Sequence, residues 1–173
     1  MDWVSLPPCQ GCDAILTFTD RATKMVHLVK SRASDSVMVI AHQLLHNVVR
    51  LHGLPRPLIS DRDHRLMSEI WCQLCDLLDV KRSTTSGYCP QVNGQTERTN
   101  QTVKQLLRVA FAENIYWVRA IDTVEMSINR AATASGFSPY YLNLGYKPTL
   151  FTDVEHSEMV ENTLNESLET FLH

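Results

Sequence analysis

The order of hydrophobic and polar positions divides the chain into alternating strands and helices. Three short apolar runs, separated by turn-rich connections, predict a meander of strands over residues 3–6, 14–19 and 25–29. Ser34 or Ser36 can cap a helix that then ends at Gly53. The next apolar run, Pro-Leu-Ile-Ser, predicts a short buried strand that delivers Asp61 at its carboxyl end.

Helical spacing dominates the second half of the chain. We predict a helix over 69–78, a short strand near 80–83, a helix that follows a turn at Asn93-Gly94, a helix over 116–129 and a helical turn within 138–148. Glu97 is predicted in the first turn of its helix, where the positive end of the helix dipole would keep a carboxylate ionised. The element order predicts an α/β fold with a mixed five-stranded sheet flanked by helices.

Composition and charge describe a globular body with an acidic end. The chain has 173 residues, 44% of them hydrophobic, which is enough for one buried core. Residues 149–173 contain six acids and no Lys or Arg, which leaves 13 acids against 16 bases in residues 1–148. The mildly basic body is compatible with a nucleic-acid partner. Five cysteines, with no secretory leader and no apolar run of transmembrane length, predict an intracellular protein that makes no use of a membrane.

Carboxylates from three separate elements are candidates for a metal site. Asp2 lies on the first strand, Asp61 at a strand end and Glu97 at a helix start. Converging carboxylates repel one another unless a cation lies between them, and hard oxygen ligands favour Mg²⁺ or Mn²⁺. Two such ions about 4 Å apart can stabilise an in-line phosphoryl displacement.

One motif in this region resembles a known family. The segment from Tyr88 to Asn100, with Pro90-Gln91 and Gly94 before Glu97, resembles the catalytic loop and helix of retroviral and retrotransposon integrases. The runs SDRDHRL, GQTERTNQ and GFSPYYLNLGYKP resemble the gypsy-type branch of long-terminal-repeat retrotransposons in particular. Asp61 and Glu97 are separated by 35 residues, the spacing of the second and third acids in that family. The resemblance covers nearly all of residues 1–148.

The resemblance implies an RNase H-like fold and a specific chemistry. It implies metal-dependent nicking of DNA near a 3′ end, followed by attack of the freed 3′-hydroxyl on target DNA. Asp2 would bridge two Mg²⁺ or Mn²⁺ ions, with Asp61 on one and Glu97 on the other. The DNA-binding residues would be Tyr88, Asn93, Asn100, Gln101, Lys104 and Arg108. The implied partners are element ends, target DNA and further copies of the chain in a homodimer or higher oligomer, and the implied location is the nucleus.

The first acid of the triad has two candidates. By resemblance it is Asp2, within Met1-Asp2-Trp3, one strand earlier than Asp20. Asp20 also ends a clean strand, and its position suits the start of a hairpin turn. The two would lie near each other if their strands pair as a hairpin, so Asp20 stays open as the alternative ligand.

The start of the chain favours a second function. If Asp2 is the first acid, the central strand begins only one residue before it, and we interpret residues 1–148 as a catalytic core with a truncated first strand. Residues 149–173 form an acidic tail whose apolar residues recur at the spacing of an amphipathic helix. The alternative to an active integrase is therefore a catalytically impaired, integrase-derived module that binds nucleic acid or protein. A plain RNase H-type nuclease is a weaker third hypothesis, because the Pro-Gln-x-x-Gly loop is typical of integrases.

Two further patterns imitate metal sites. Cys9, Cys12, Cys72 and Cys75 have the spacing of a four-cysteine zinc site, but the second pair lies in an apolar helical run where buried thiols are common. His42 and His46 are four residues apart on a helix without the glutamate of a metalloprotease motif. We interpret both sets as structural or surface residues.

Overall fold

The computed structural model describes residues 1–60, 63–84, 90–112 and 116–149, without the side chains of 84, 90–96 and 110. A π-helical turn, Leu45–Val49, joins the first two helices. The strands are β1 Asp2–Cys9, β2 Cys12–Thr19, β3 Val26–Ser31, β4 Pro57–Ser60 and β5 Lys81–Thr84. The helices are α1 Val37–Leu44, α2 Arg50–His52, α3 Glu69–Leu77, α4 Pro90–Ala112, α5 Trp117–Arg130 and α6 Pro139–Leu144.

The five strands form two sheets. The order β1-β2-β3 is an antiparallel meander, and β4 pairs with β5 in parallel. The predicted α/β class is confirmed, while the single five-stranded sheet appears as a three-stranded and a two-stranded one. The start of β1 nevertheless lies beside β4, because the amino group of Met1 donates a hydrogen bond of 2.6 Å to the carbonyl of Ile59. This contact brings the two sheets together, and in the described part of the chain no ladder of paired residues joins them.

Local signals set most of the helix ends. Ser36, Ser68 and Ser138 each accept a hydrogen bond from a backbone N–H in the first turn of the helix that they precede. Of the two predicted caps, Ser36 is therefore the one that begins α1. Gly53 has a φ of 81°, which few other residues adopt, and it ends α2 as predicted.

The start of α4 differs from the prediction. The helix begins at Pro90 and not after Asn93-Gly94, so Glu97 is its eighth residue. Proline suits a first helical position, and a glycine inside a helix costs only about 1 kcal/mol, so Gly94 does not stop the helix. The influence of the helix dipole is confined to the first turn. The dipole argument for Glu97 is therefore wrong, and its geometry depends on tertiary contacts.

Hydrophobic cores cover both faces of the meander. On one face, β1 to β3 pack against α4 and α5 through residues such as Ile15, Val103 and Ile121, all fully buried. On the other face, Leu16 and Phe18 pack with residues of α1 and α3. Strand alternation explains this division, because Ile15 and Leu16 are neighbours that point to opposite faces. The meander is thus central, and Asp2 emerges at its end.

Side chains cover the outer edge of β3. Asn129 is fully buried, accepts a hydrogen bond of 2.8 Å from the Val26 N–H and donates one of 2.7 Å to the Val26 carbonyl. Glu125 accepts from the Leu28 N–H at 2.7 Å, and Gln43 donates to the Lys30 carbonyl at 3.2 Å. These side chains pair main-chain groups of β3 that a further strand would otherwise pair, namely both groups of Val26, the Leu28 N–H and the Lys30 carbonyl.

Candidate active site

Asp2 is held by contacts from β1, β2 and α4. One carboxylate oxygen accepts a hydrogen bond of 2.8 Å from the Trp3 N–H, and the other accepts one of 2.7 Å from the side-chain amide of Asn100. The hydroxyl of Thr17, which is fully buried, lies 3.0 Å from the backbone carbonyl oxygen of Asp2 and 3.2 Å from the side-chain Oδ1 of Asn100. A carboxylate offers about four lone-pair sites, so two contacts leave capacity for a metal ion.

Glu97 shares a cavity with Asp2. Both residues line an open cavity of about 470 Å³ that also reaches the end of β4 at Ser60. Glu97 is exposed, and Asn100 lies three residues after it, which puts the two on the same side of α4. Because Asn100 donates a hydrogen bond to Asp2, the side of α4 that carries Glu97 and Asn100 faces β1. Two of the three predicted acids are brought to one cavity.

The third acid and part of the predicted DNA surface lie outside the described residues. Asp61 follows directly on Ser60, but Asp61 and Tyr88 are not among the residues that the structure describes, and neither is the side chain of Asn93. Within the described ranges, no three His, Cys, Asp or Glu side chains are grouped for a metal ion. The oxygen donors present, Asp2 and Glu97, fit the predicted Mg²⁺ or Mn²⁺ in chemical type. The full ligand set stays a prediction.

Asp20, the alternative first acid, is engaged in a turn. One of its carboxylate oxygens accepts hydrogen bonds from the N–H and the hydroxyl of Thr23, at 2.8 and 2.7 Å. Partial burial raises the pKa of Asp20, but these bonds and the backbone N–H groups of Ala22 and Arg21 outweigh burial and hold it below its ordinary value. The predicted turn role of Asp20 is confirmed. Asp20 also lines the cavity, with one of its carboxylate oxygens engaged by Thr23.

The predicted DNA face of α4 is exposed except at Asn100. Gln101, Lys104 and Arg108 are exposed at steps of three and four from one another, and Val103 and Leu107 on the opposite side are buried. This arrangement leaves two cations free to meet a polyanion. Asn100 is half-buried and its amide is bonded to Asp2, which gives it a positioning role that sequence reasoning missed.

A second group near Asp2 was also missed. Arg65 stacks over the Trp3 ring, with 4.5 Å from its guanidinium carbon to the ring centroid. Arg65 also forms an ion pair of 2.7 Å with Asp63 and donates to the Ala33 carbonyl at 3.0 Å. Asp63 and Arg65 belong to the segment between β4 and α3 in which Asp61 lies. The run Asp-Arg-Asp-His-Arg contained these residues, but nothing local indicated that Arg65 would reach Trp3.

The four-cysteine pattern does not form one zinc site. Cys9 and Cys12 lie opposite each other across the β1–β2 hairpin as free thiols. Both pack on the side of the meander that faces α4 and α5. Cys75 lies in the core on the opposite face, and burial raises the pKa of its thiol. The two pairs are therefore separated by the sheet. As to membranes, no helix in the described ranges is long and apolar enough to cross one.

Solved integrase structures share this fold. The HTLV-2 integrase catalytic core domain in complex with magnesium matches with a TM-score of 0.64 at 19% identity, over 80% of this chain and 93% of that chain. The BIV integrase core matches with a TM-score of 0.66 at 19% identity, over 83% and 93%. A chain of the simian T-cell lymphotropic virus intasome with PP2A subunit B56 gamma gives 0.69 at 20% identity, over 86% and 57%. The fold is thus the RNase H-like fold of integrase cores.

Sequence relatives are retrotransposon polyproteins. The Transposon Tf2-3 and Tf2-4 polyproteins of Schizosaccharomyces pombe are each 33% identical to this chain, over an alignment that covers 98% of it. The chain is therefore homologous to one segment of the Tf2 polyproteins, and it spans 13% of the length of each of these two. No protein-family model matches the chain.

Proposed function

We propose that this chain is the catalytic core of a gypsy-type retrotransposon integrase, which nicks DNA near a 3′ end and joins that end to target DNA. The observation that carries the proposal is the shared cavity of Asp2 and Glu97, two carboxylates from distant parts of the chain. The homology to Tf2 polyproteins and the integrase-core fold support it.

Each predicted site residue then has a defined task. Asp2 and Glu97, with Asp61, would hold two Mg²⁺ or Mn²⁺ ions, which when bound polarise the scissile phosphate and activate the attacking oxygen. Asn100 orients Asp2 by donating to one carboxylate oxygen, so that its remaining lone pairs face the cavity. Lys104 and Arg108 bind DNA phosphates along the exposed side of α4 and fix the position of the duplex. Tyr88 and Asn93 would contact the DNA end.

The proposed partners follow from the same chemistry. They are the ends of the element, target DNA and other copies of this chain, in a nuclear complex. The HTLV-2 integrase core has been solved in dimeric and in trimeric forms, which supports self-association of a fold of this kind.

The proposal is tested by disintegration activity on branched DNA with Mn²⁺ or Mg²⁺. We expect the parent chain to release the joined strand, and Glu97→Gln and Asp2→Asn each to abolish the product. Asp20→Asn is the matched control, because Asp20 lines the same cavity and is expected to retain activity. Thermal unfolding checks that the inactive variants remain folded. An inactive parent chain, or near-parental product from Glu97→Gln, contradicts the proposal.

A further inference from the structure

Two histidines face each other on the wall of the cavity. His27 lies on β3, and His52 is the last residue of α2. Their Nε2 atoms are 2.8 Å apart, and their ring centroids are 5.1 Å apart. Two ring nitrogens can approach this closely only when at least one of them carries a lone pair. A lone pair is therefore directed into the space between two imidazoles that come from distant parts of the chain.

Glu125 orients one of these rings from behind. Its Oε1 lies 3.1 Å from Nδ1 of His27, and its Oε2 accepts a hydrogen bond of 2.7 Å from the Leu28 N–H. The carboxylate is fixed by the strand edge and favours a hydrogen on Nδ1 of His27, which leaves Nε2 as the basic nitrogen. A histidine with a carboxylate on its second nitrogen is the usual arrangement of a metal-binding imidazole.

We propose that His27 and His52 together bind one transition-metal ion of the Zn²⁺ type, at a site distinct from the carboxylates. Zn²⁺ holds imidazole nitrogens at about 2.0–2.1 Å in a tetrahedron, which requires the two nitrogens to be roughly 3.3 Å apart. The two Nε2 atoms need to separate by about 0.5 Å, and because their rings meet nearly head-on, the His52 ring must also turn until its lone pair converges with that of His27 on the ion. His52 can make this movement because it is exposed and ends its helix at Gly53.

The two sites prefer different metal ions, because their ligand atoms differ. Imidazole nitrogen suits Zn²⁺, Cu²⁺ or Ni²⁺, whereas the carboxylates of Asp2 and Glu97 suit Mg²⁺. No third His, Cys, Asp or Glu in the described part of the chain completes a cluster, and water would fill the other coordination positions of a bound ion. Both histidines line the same cavity as Asp2 and Glu97. A bound ion joins β3 to the end of α2 across that wall.

The test is a ZnCl₂ titration of the full chain, stripped of metal with EDTA and kept in excess MgCl₂ to occupy the carboxylates. Calorimetry measures affinity and stoichiometry, and thermal unfolding measures the stabilisation that binding confers. The background variant is His42→Ala with His46→Ala, because those rings stack with centroids 6.1 Å apart and offer a competing pair. Zn²⁺ that binds to cysteine thiols does so equally in every variant compared, so it does not affect the differences between them.

In the His42→Ala, His46→Ala background, we expect His52→Ala to lower the Zn²⁺ stoichiometry by one ion. The change is exposed and leaves the cores untouched. Glu125→Gln keeps an acceptor for Leu28 but loses the charge behind His27, and we expect it to weaken Zn²⁺ affinity 10- to 100-fold, as a rough figure. Magnesium binding should be unchanged in both. Equal Zn²⁺ binding with and without His52, or no Zn²⁺ binding at all, overturns the proposal and leaves a pair that shares a proton. The measurement uses no DNA, so its outcome is independent of the proposed integrase activity.

Discussion

The side-chain amide of Asn100 donates a hydrogen bond of 2.7 Å to the carboxylate of Asp2. This contact joins residues 98 positions apart in the chain and ties the middle of α4 to the first strand. Because Glu97 lies on the same side of α4, the contact also sets the separation of two proposed metal ligands. Asn100 is therefore a positioning residue for the site.

We expect Asn100→Ala to lower the free energy of unfolding by about 1–2 kcal/mol, because its contacts to Asp2 and Thr17 are lost in a half-buried place. Magnesium affinity should fall as well, since Asp2 loses its orienting donor. Urea unfolding and calorimetry measure the two effects. Gln101→Ala, an exposed neighbour on the same helix, is the control and should change neither. Unchanged magnesium affinity in Asn100→Ala would remove its positioning role.

Lys104 provides a prediction about DNA. Lys104→Ala should weaken DNA binding equally for all sequences and reduce the slope of log affinity against log salt by about 1, as expected for one phosphate contact. The slope is measured by fluorescence anisotropy between low and moderate salt. Lys30→Ala is the matched control, because Lys30 lies on β3 and not on the proposed DNA face of α4, and its ammonium group is 3.7 Å from Asp122. An identical slope for Lys104→Ala and the parent would show that Lys104 only meets solvent.

Asn129 provides a prediction about stability. Asn129→Ala would leave the buried N–H and carbonyl of Val26 without partners, and we expect a loss of about 2–4 kcal/mol in the free energy of unfolding. Chemical denaturation measures it. Ser127→Ala, an exposed change on the same helix, should stay within about 0.5 kcal/mol of the parent. If the free energy of unfolding falls by less than an ordinary exposed hydrogen bond contributes, water must reach the main-chain groups of Val26 at the strand edge.

Asp63 provides a prediction about pH. The hydrogen bonds from the Arg65 side chain are the largest influence and hold the pKa of Asp63 below its ordinary value, against a smaller opposing effect of burial. A depressed folded-state pKa adds stability above the unfolded value of about 3.9, and that stability is lost as the pH falls below it. Asp63→Asn should therefore cost about 1 kcal/mol at pH 7 and progressively less below about pH 4.

The control for this pH dependence is Asp76→Asn. Asp76 also pairs with an arginine, Arg82, but its side chain is 68% exposed, so we expect almost no effect at any pH. Urea unfolding of both variants and the parent at several pH values makes the comparison. A cost of Asp63→Asn that does not change with pH would assign its effect to packing and not to the ion pair.

The sequence by itself determined the elements and the chemical types in the site. Period-two and helical patterns predicted β1 to β5 and most helices, and Ser36, one of two candidate caps, and Gly53 marked the ends of the first helical region, because these signals act within one turn of the chain. The acids could be named because their spacing resembles that of integrases. The sequence failed at the start of α4, where the turn preference of Asn93-Gly94 is weaker than the helix that continues through it.

Only the tertiary structure decided which side chains meet. The contacts of Asn100 with Asp2, Arg65 with Trp3 and Glu125 with His27 join residues on separate elements, and none has a local signal. Packing against one face of the meander fixes how α4 and α5 are rotated, and that rotation selects the residue that reaches a given partner. From the sequence, a polar residue at the edge of an apolar stripe is predicted to lie on the surface. Only the packing of its helix brings it to a partner that it can position.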